Sequence, residues 1–286
     1  MSQASRHALG SALRAVPGAR LLSHAVRSGL EALRPFPLPA YKASPPAIGA
    51  DDPMGSFLPP TAATLAEAAM SEEAANFVSS VLEKLKPSLE INASRYYYRY
   101  GRARYGRHWR YADLPTVLWA AAMLLRPERY LEIGVRQGRS AAVVGAVSPR
   151  SEIYGFDLWL ADYGGEPNPG PDFVRSELRA SGHAGAVELV SGDSKETLPA
   201  FLRRHRDLYF DVITIDGDKS VRGFASDLAH ALPRLKLGGI VVTDDLPLVP
   251  TLRRVWRRVV EDDTRYAAWE FALSGKGGVA AAVRVG

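Results

Sequence analysis

Residues 129–140 read Arg-Tyr-Leu-Glu-Ile-Gly-Val-Arg-Gln-Gly-Arg-Ser. Residues 130–133 form a short apolar run broken only by Glu132, which suits a strand buried on both faces, and Gly134 and Gly138 stand at its exit. Glycines placed there let the chain turn sharply and bring backbone N–H groups close to a ligand as the next helix starts. The spacing restricts the ligand. A dinucleotide fingerprint beginning at Gly134 would need glycine at positions 136 and 139, which are Arg136 and Arg139, and the P-loop lysine is also absent. What remains is E-x-G-x-x-x-G.

Apolar runs of the same kind recur at 153–156, 187–190, 212–215 and 240–243. Each precedes a helix-length segment, with a Gly/Pro-rich loop, 159–171, intervening after the 153–156 run. Unalternated runs separated by helices predict a doubly wound α/β sheet that is mostly parallel. Residues 269–273, a Gly-Lys-Gly-Gly turn at 275–278 and residues 279–285 predict an antiparallel C-terminal hairpin.

Several of these predicted strands end on a polar group. Asp157 closes the second, 23 residues after Gly134, where a carboxylate can accept hydrogen bonds from both hydroxyls of a ribose. The third ends at Ser191-Gly192-Asp193-Ser194, offering an acceptor where an adenine edge would lie. A turn or a helix cap explains any one of these by itself; three successive strand ends make coincidence a poor account. Asp216 closes the fourth strand, and Asp244 and Asp245 close the fifth. Neighbouring strands lie about 4.8 Å apart, so three carboxylates would share one rim and repel unless a cation compensates. A hard, oxygen-seeking ion such as Mg²⁺ suits that role. An N-cap of the following helix explains Asp244 and Asp245 equally well, and a solvated turn explains Asp218 and Lys219.

Glu132-Ile133-Gly134 with Gly138, then Asp157, Gly192-Asp193, Asp216-Gly217-Asp218-Lys219, Leu237-Gly238-Gly239 and Asp244-Asp245 together resemble class I S-adenosylmethionine-dependent methyltransferases. The nearest subgroup is O-methyltransferase-like, with a D-G-D-[HK]-S signature. The resemblance covers residues 112–286. It implies a Rossmann-like, seven-stranded sheet whose last strand is antiparallel, and S-adenosylmethionine as the cofactor. Gly134 and Gly138 would flank the methionine moiety, Asp157 would hold the ribose and Asp193 would lie at the adenine, with Glu132, Ser140 and Asp216 in the same cofactor set. Lys219, three residues after Asp216, resembles the general base of the cation-dependent O-methyltransferases, which would leave Asp216, Asp244 and Asp245 as Mg²⁺ ligands. Asp245 departs from the asparagine of that pattern. A lysine base must have its pKa depressed to work at neutral pH.

The remainder of the 286-residue chain bounds this reading. There is no cysteine, which excludes disulfides and thiolate chemistry, and the six histidines are scattered without an i, i+4 pair. No apolar run approaches the roughly 18 residues of a membrane span, so a cytoplasmic protein is expected. The formal charge of +5 resides in the first 50 residues, where six basic side chains face only Glu31. That neutral body argues against a nucleic-acid partner. Residues 1–60 form a basic, proline-rich leader and linker, with eight prolines between 35 and 60 and an amphipathic basic helix before them that could contact a membrane surface or a partner. Residues 61–111 read as a helical extension covering the site, opened by a Thr64/Glu67 capping box and ending in an acid-free tract, 95–111, of six arginines and seven aromatics. A helix opened by Asp113 and Pro115 leads into the α/β domain, 112–286. A small hydroxylated acceptor, a sugar or a natural-product intermediate, is the expected substrate, and a homo-oligomer is compatible with the sequence. The alternatives are a nucleic-acid or protein methyltransferase using the arginine tracts and a non-catalytic scaffold that binds the cofactor.

Overall fold

The computed structural model describes residues 46–49, 59–163, 165–246, 249–273 and 277–286. The expected basic helix, most of the proline-rich linker and the tip of the C-terminal hairpin lie outside the described residues. Helices α1 (Ala62–Ala69), α2 (Glu72–Leu82), α3 (Leu89–Tyr105) and α4 (Leu114–Leu125) precede the first strand. Then follow β1 (Arg129–Ile133), α5 (Arg139–Val147), β2 (Glu152–Asp157), the short pair β3 (Asp162–Tyr163) and β4 (Glu166–Pro167), α6 (Pro171–Ser181), β5 (Val187–Ser191), α7 (Ser194–Arg204), β6 (Phe210–Ile215), α8 (Val221–Ala231), β7 (Leu235–Thr243), α9 (Pro250–Trp256), β8 (Tyr266–Leu273) and β9 (Gly277–Arg284).

Seven strands form one sheet in the order β5-β2-β1-β6-β7-β9-β8. The first five are parallel and β9 runs antiparallel between β7 and β8, as the periodicity and the terminal hairpin predict. Leu131 of β1 pairs with Tyr154 of β2 on one side and Ile213 of β6 on the other. Chain order therefore reverses at β1, and a crevice opens at the carboxyl ends of β1 and β6, where open α/β sheets bind ligands.

Alternating side chains divide the sheet between two cores. Tyr130, Val212, Ile240 and Val242 pack with α1, α2, α4 and α5 on one face. Leu131, Ile133, Ile213 and Val241 pack with Phe201, Phe224 and Trp256 on the other. Leu65, Val78, Leu82 and Tyr98 from 61–111 share the first core with Val117, Leu118 and Val143. The N-terminal helices are thus built onto the sheet's flank and carry α3 over the strand ends.

Local signals act as expected at α4, where Asp113 accepts the Thr116 N–H at 3.0 Å and the Thr116 hydroxyl accepts the Asp113 N–H at 3.0 Å. At α1 the cap lies three residues before the expected one: Thr61 accepts the Thr64 N–H at 3.1 Å, so Thr64 is already helical. Segment 46–49 pairs with Leu237, through Ile48 N–H to the Leu237 carbonyl at 2.8 Å and Leu237 N–H to the Pro46 carbonyl at 3.0 Å. That contact is at the start of β7, the end of the strand away from Asp244. Among the described residues no helix is long and apolar enough to cross a membrane.

Candidate active site

The carboxyl ends of β1, β2, β6 and β7 and the turn after β5 open on a cavity of about 630 Å³. Gly134, Asp157, Gly192, Asp216 and Asp244 each reach its lining, and Glu90 and Ile91 of α3 close it from above.

The glycine loop is shaped by backbone need. Gly134 has φ +89, and a Cβ there would stand 2.3 Å from the Asp216 carbonyl oxygen, so only glycine lets β1 leave the sheet this close to β6. Gly138 opens α5 with φ +79, and a Cβ would meet Val174 at 2.9 Å. Between them Arg136 holds φ +49, costly for a side chain with a Cβ. Asp157 sustains it: Oδ2 accepts the Arg136 N–H at 2.7 Å and Oδ1 accepts the Trp159 N–H at 2.6 Å. The same carboxylate lines the cavity.

Beneath the loop Glu132 is fully buried, and the Ser140 hydroxyl donates to its Oε1. Burial pushes this carboxyl up to about 8, and its Oε2 has no hydrogen-bond partner among the described residues. Ser140 lines the cavity. At the β5 end, Gly192 and Ser194 are in the lining, while Asp193 caps α7 through the Lys195 N–H at 2.9 Å and pairs with the Lys195 ammonium at 3.0 Å. That ammonium also reaches Asp218 at 3.1 Å.

Asp216, Asp244 and Asp245 converge as adjacent strands require, since Ile215 of β6 pairs with Thr243 of β7. The expected Mg²⁺ trio gains no support from the arrangement of these side chains. The Lys219 ammonium stands among the three, bonded to Asp216 Oδ1, 3.4 Å from Asp245 Oδ2 and 3.4 Å from the Asp244 carbonyl. An internal ammonium takes the place of the compensating cation, and among the described residues no group of acids and histidines is arranged to hold a metal. Neither aspartate caps α9, which starts at Pro250 without a side-chain cap; Asp244 Oδ1 instead accepts the Asp245 N–H at 3.0 Å. The pKa of Lys219 moves opposite to the expected direction: burial lowers it, but Asp216 and Asp245 outweigh burial and hold it above the ordinary lysine value. That direction, with the three acidic neighbours, favours a protonated Lys219 over a lysine base. Asp244 is raised to about 7 by burial and then by the like charges of Asp216 and Asp245, and burial raises Asp216 despite Lys219.

Two acidic residues were invisible to sequence reasoning. Glu90, on the first turn of α3, pairs with Arg139 at 3.0 Å and also with Arg136, gripping both arginines of the glycine loop. Glu166 of β4 accepts the Leu89 N–H at the start of α3 and approaches Arg136 at 3.9 Å. The 159–171 loop thereby latches α3 over the cavity. The spacing of α3 marks it as a helix, but no local signal pairs it with residues 46 positions away.

Residues 131–246 match the protein family described as "Methyltransferase domain". Among solved structures, the chain is similar to an O-methyltransferase from Bacillus cereus in complex with SAH, at 20% identity over 75% of this chain and 98% of that one, with TM-score 0.51. It is also similar to the O-methyltransferase TomG from Streptomyces achromogenes, involved in tomaymycin synthesis and in complex with SAM, at 19% identity over 76% and 91% of the chains, with TM-score 0.49. A third is CalS11, a TDP-rhamnose 3'-O-methyltransferase of calicheamicin biosynthesis, at 24% identity over 75% and 94%, with TM-score 0.47. No curated protein matches the chain in sequence.

Proposed function

We propose that the protein, whose residues 131–246 match a methyltransferase-domain family on a class I methyltransferase fold, is an S-adenosylmethionine-dependent O-methyltransferase of a small hydroxylated acceptor. One observation carries the reading: the glycine loop, the Asp157 carboxylate and the Asp216–Asp244 rim all line a single cavity at the strand ends. Ser140 lines the cavity and donates to the buried Glu132 just behind it, which sets an acidic group near the β1 end, where a cofactor would bring a cationic, hydrogen-bonding amino group. The residues that would hold the cofactor are Gly134, Gly138, Ser140 and Glu132 at β1, Asp157 at β2, and the 192–194 turn with Asp193 at β5. Bound there, it would supply a methyl group activated on a sulfonium sulfur.

The protein's own share is alignment and proton removal. Asp244 and Asp245 stand at the outer rim, where an acceptor hydroxyl would arrive. Asp244, with a pKa near neutrality, receives the hydroxyl proton. Lys219 keeps its charge, fixes Asp216 and Asp245, and makes ionised Asp244 tolerable among like charges. In place of a lysine base, this assigns base work to a carboxylate and a positioning role to Lys219.

The polyanion alternative has one structural feature in its favour, a groove of about 530 Å³ lined by Arg95, Arg99, Arg102 and Arg107. Glu72 and Glu83 share that lining, and none of its residues lines the main cavity, so a strand held there is not delivered to the rim. Titration calorimetry with S-adenosylmethionine and with nicotinamide dinucleotides, followed by labelled-methyl transfer to hydroxylated acceptors, tests the proposal. Binding of the dinucleotide in place of the sulfonium compound would refute it.

A further inference from the structure

Resting on the methyltransferase reading, we infer that the acceptor is a hydroxylated ring bearing a protonated amine, seated in a groove between α3 and the Asp244–Asp245 rim. The groove, about 340 Å³, shares Glu90, Leu114, Arg139, Asp244 and Asp245 with the main cavity, so a ring lying in it presents a hydroxyl at the rim.

The α3 wall of the groove is aromatic. Tyr97 and Tyr98 of α3 line it, together with Tyr111 beyond the helix end. Tyr98 is buried and its hydroxyl donates to Asp113 Oδ1 at 2.8 Å, which fixes the ring. Tyr97 and Tyr111 have centroids 4.8 Å apart, and Trp109 stacks on Tyr111 at 5.0 Å with the planes 4° apart. Tyr97 is 49% exposed, so part of its surface is available to a ligand without any rearrangement. Aromatic faces of this kind take flat rings and cations.

Charge narrows the class. The charged lining comprises Glu90, Asp113, Asp244 and Asp245 against the single base Arg139. Arg139 is already engaged, donating to Ser94 Oγ at 3.0 Å and pairing with Glu90 at 3.0 Å. Asp113 is occupied by Tyr98 and by the Thr116 N–H. The carboxylates left to meet a ligand are Asp244 and Asp245, whose neighbouring cation, Lys219, is shared with Asp216. A phosphate or carboxylate on the acceptor would enter an excess of negative charge and find no uncommitted base in this lining. An ammonium gains from the ring faces and from the rim at once.

Matched trios differing in one substituent test this on the full chain: dopamine, 4-methylcatechol and 3,4-dihydroxybenzoate, then glucosamine, glucose and glucose 6-phosphate. S-adenosylhomocysteine is titrated first, and its failure to bind removes the methyltransferase reading itself. With it bound, the amine member of at least one trio should bind about tenfold tighter than its neutral partner, and the anionic member weakest. Asp245→Asn, isosteric and tolerated at φ +63, should reduce that preference to about twofold or less, while Tyr97→Ala should weaken both members and the amine more than the neutral one. Tighter binding of a neutral or anionic member, an amine preference unchanged in both variants, or no binding of any member while S-adenosylhomocysteine binds would overturn the inference and leave the broader reading standing.

Discussion

Asp157 Oδ2 lies 2.7 Å from the Arg136 amide nitrogen, so the carboxylate proposed to hold a ribose also folds the loop proposed to hold the amino-acid end of the same ligand. Its other oxygen is bound to the Trp159 N–H, and two charge-assisted bonds to backbone are worth about 1–3 kcal/mol of stability in all. Asp157→Ala should therefore lower the urea midpoint and reduce S-adenosylmethionine affinity together, the latter by about tenfold or more. Asp157→Asn keeps one acceptor oxygen and should fall between. Calorimetry showing unchanged affinity in the alanine variant would remove Asp157 from the site.

Gly134 is the sharper structural test. Its φ of +89 and the 2.3 Å approach to a carbonyl leave Gly134→Ala with both strain and a backbone collision, a cost of more than about 2 kcal/mol. Gly182 sits in the left-handed region, φ +109 and ψ +6, but with open space where its Cβ would go, so Gly182→Ala should cost only about 1 kcal/mol. Equal losses in chemical denaturation would show that strain alone is at work.

The buried Glu132 gives stability a pH dependence. Its pKa is near 8 when folded against an ordinary value of 4.5, so between those limits the unfolded chain has released a proton that the folded chain retains. Folding stability then falls as pH rises from about 4.5 to 8 and levels off above, with Asp227 and Asp244, both raised to about 7 chiefly by burial, adding in the same direction. Glu132→Gln keeps an acceptor for Ser140 and should gain at least about 1 kcal/mol at pH 8 relative to pH 5. Parallel urea titrations at the two pH values decide it.

What the sequence made legible follows from range. Asp157, Asp216 and Asp244 could be placed because each ends an apolar run, and the ends of parallel strands meet at one edge by geometry. The i, i+3 spacing put Lys219 beside Asp216. The charge state of Lys219 could not be read, because it depends on Asp245, brought in by pairing of β6 with β7, and on how that competes with burial. Glu90 and Glu166 were hidden for the same reason: their partners are set by how α3 lies across the sheet. At α1 the Thr64/Glu67 spacing pointed to the wrong threonine, and only the fold shows that Thr61 is the one outside the helix.

Proton removal at the rim predicts a distinctive pair of phenotypes. Asp244→Asn should abolish turnover, more than about 100-fold, while cofactor affinity stays within about twofold. Lys219→Met removes the positive charge that favours ionised Asp216 and Asp244, so any residual rate should have its acid limb moved to higher pH; Lys219→Arg should restore much of the original profile. Because the ammonium already stands between the carboxylates, chelation should leave the wild-type rate unchanged. A Lys219→Met enzyme with an unshifted profile would separate the lysine from the proton transfer.

Glu90 tests whether α3 belongs to the machinery or merely covers it. It pairs with Arg139 and Arg136, both on the loop around the cofactor cavity, and these side chains are only about a quarter exposed, so each pair is screened less than a surface pair and contributes about 1 kcal/mol. Glu90→Gln retains the helix and much of its hydrogen bonding but releases the charge of both arginines toward the cavity. If α3 is part of the site, KM for S-adenosylmethionine should rise several-fold at low ionic strength, with kcat nearly constant and a melting temperature lowered by only a few degrees. The effect should shrink as salt is added, since screening weakens the pairs in the parent protein as well. A variant with unchanged KM and the same loss of stability would reduce Glu90 to a clasp that holds the helices to the sheet.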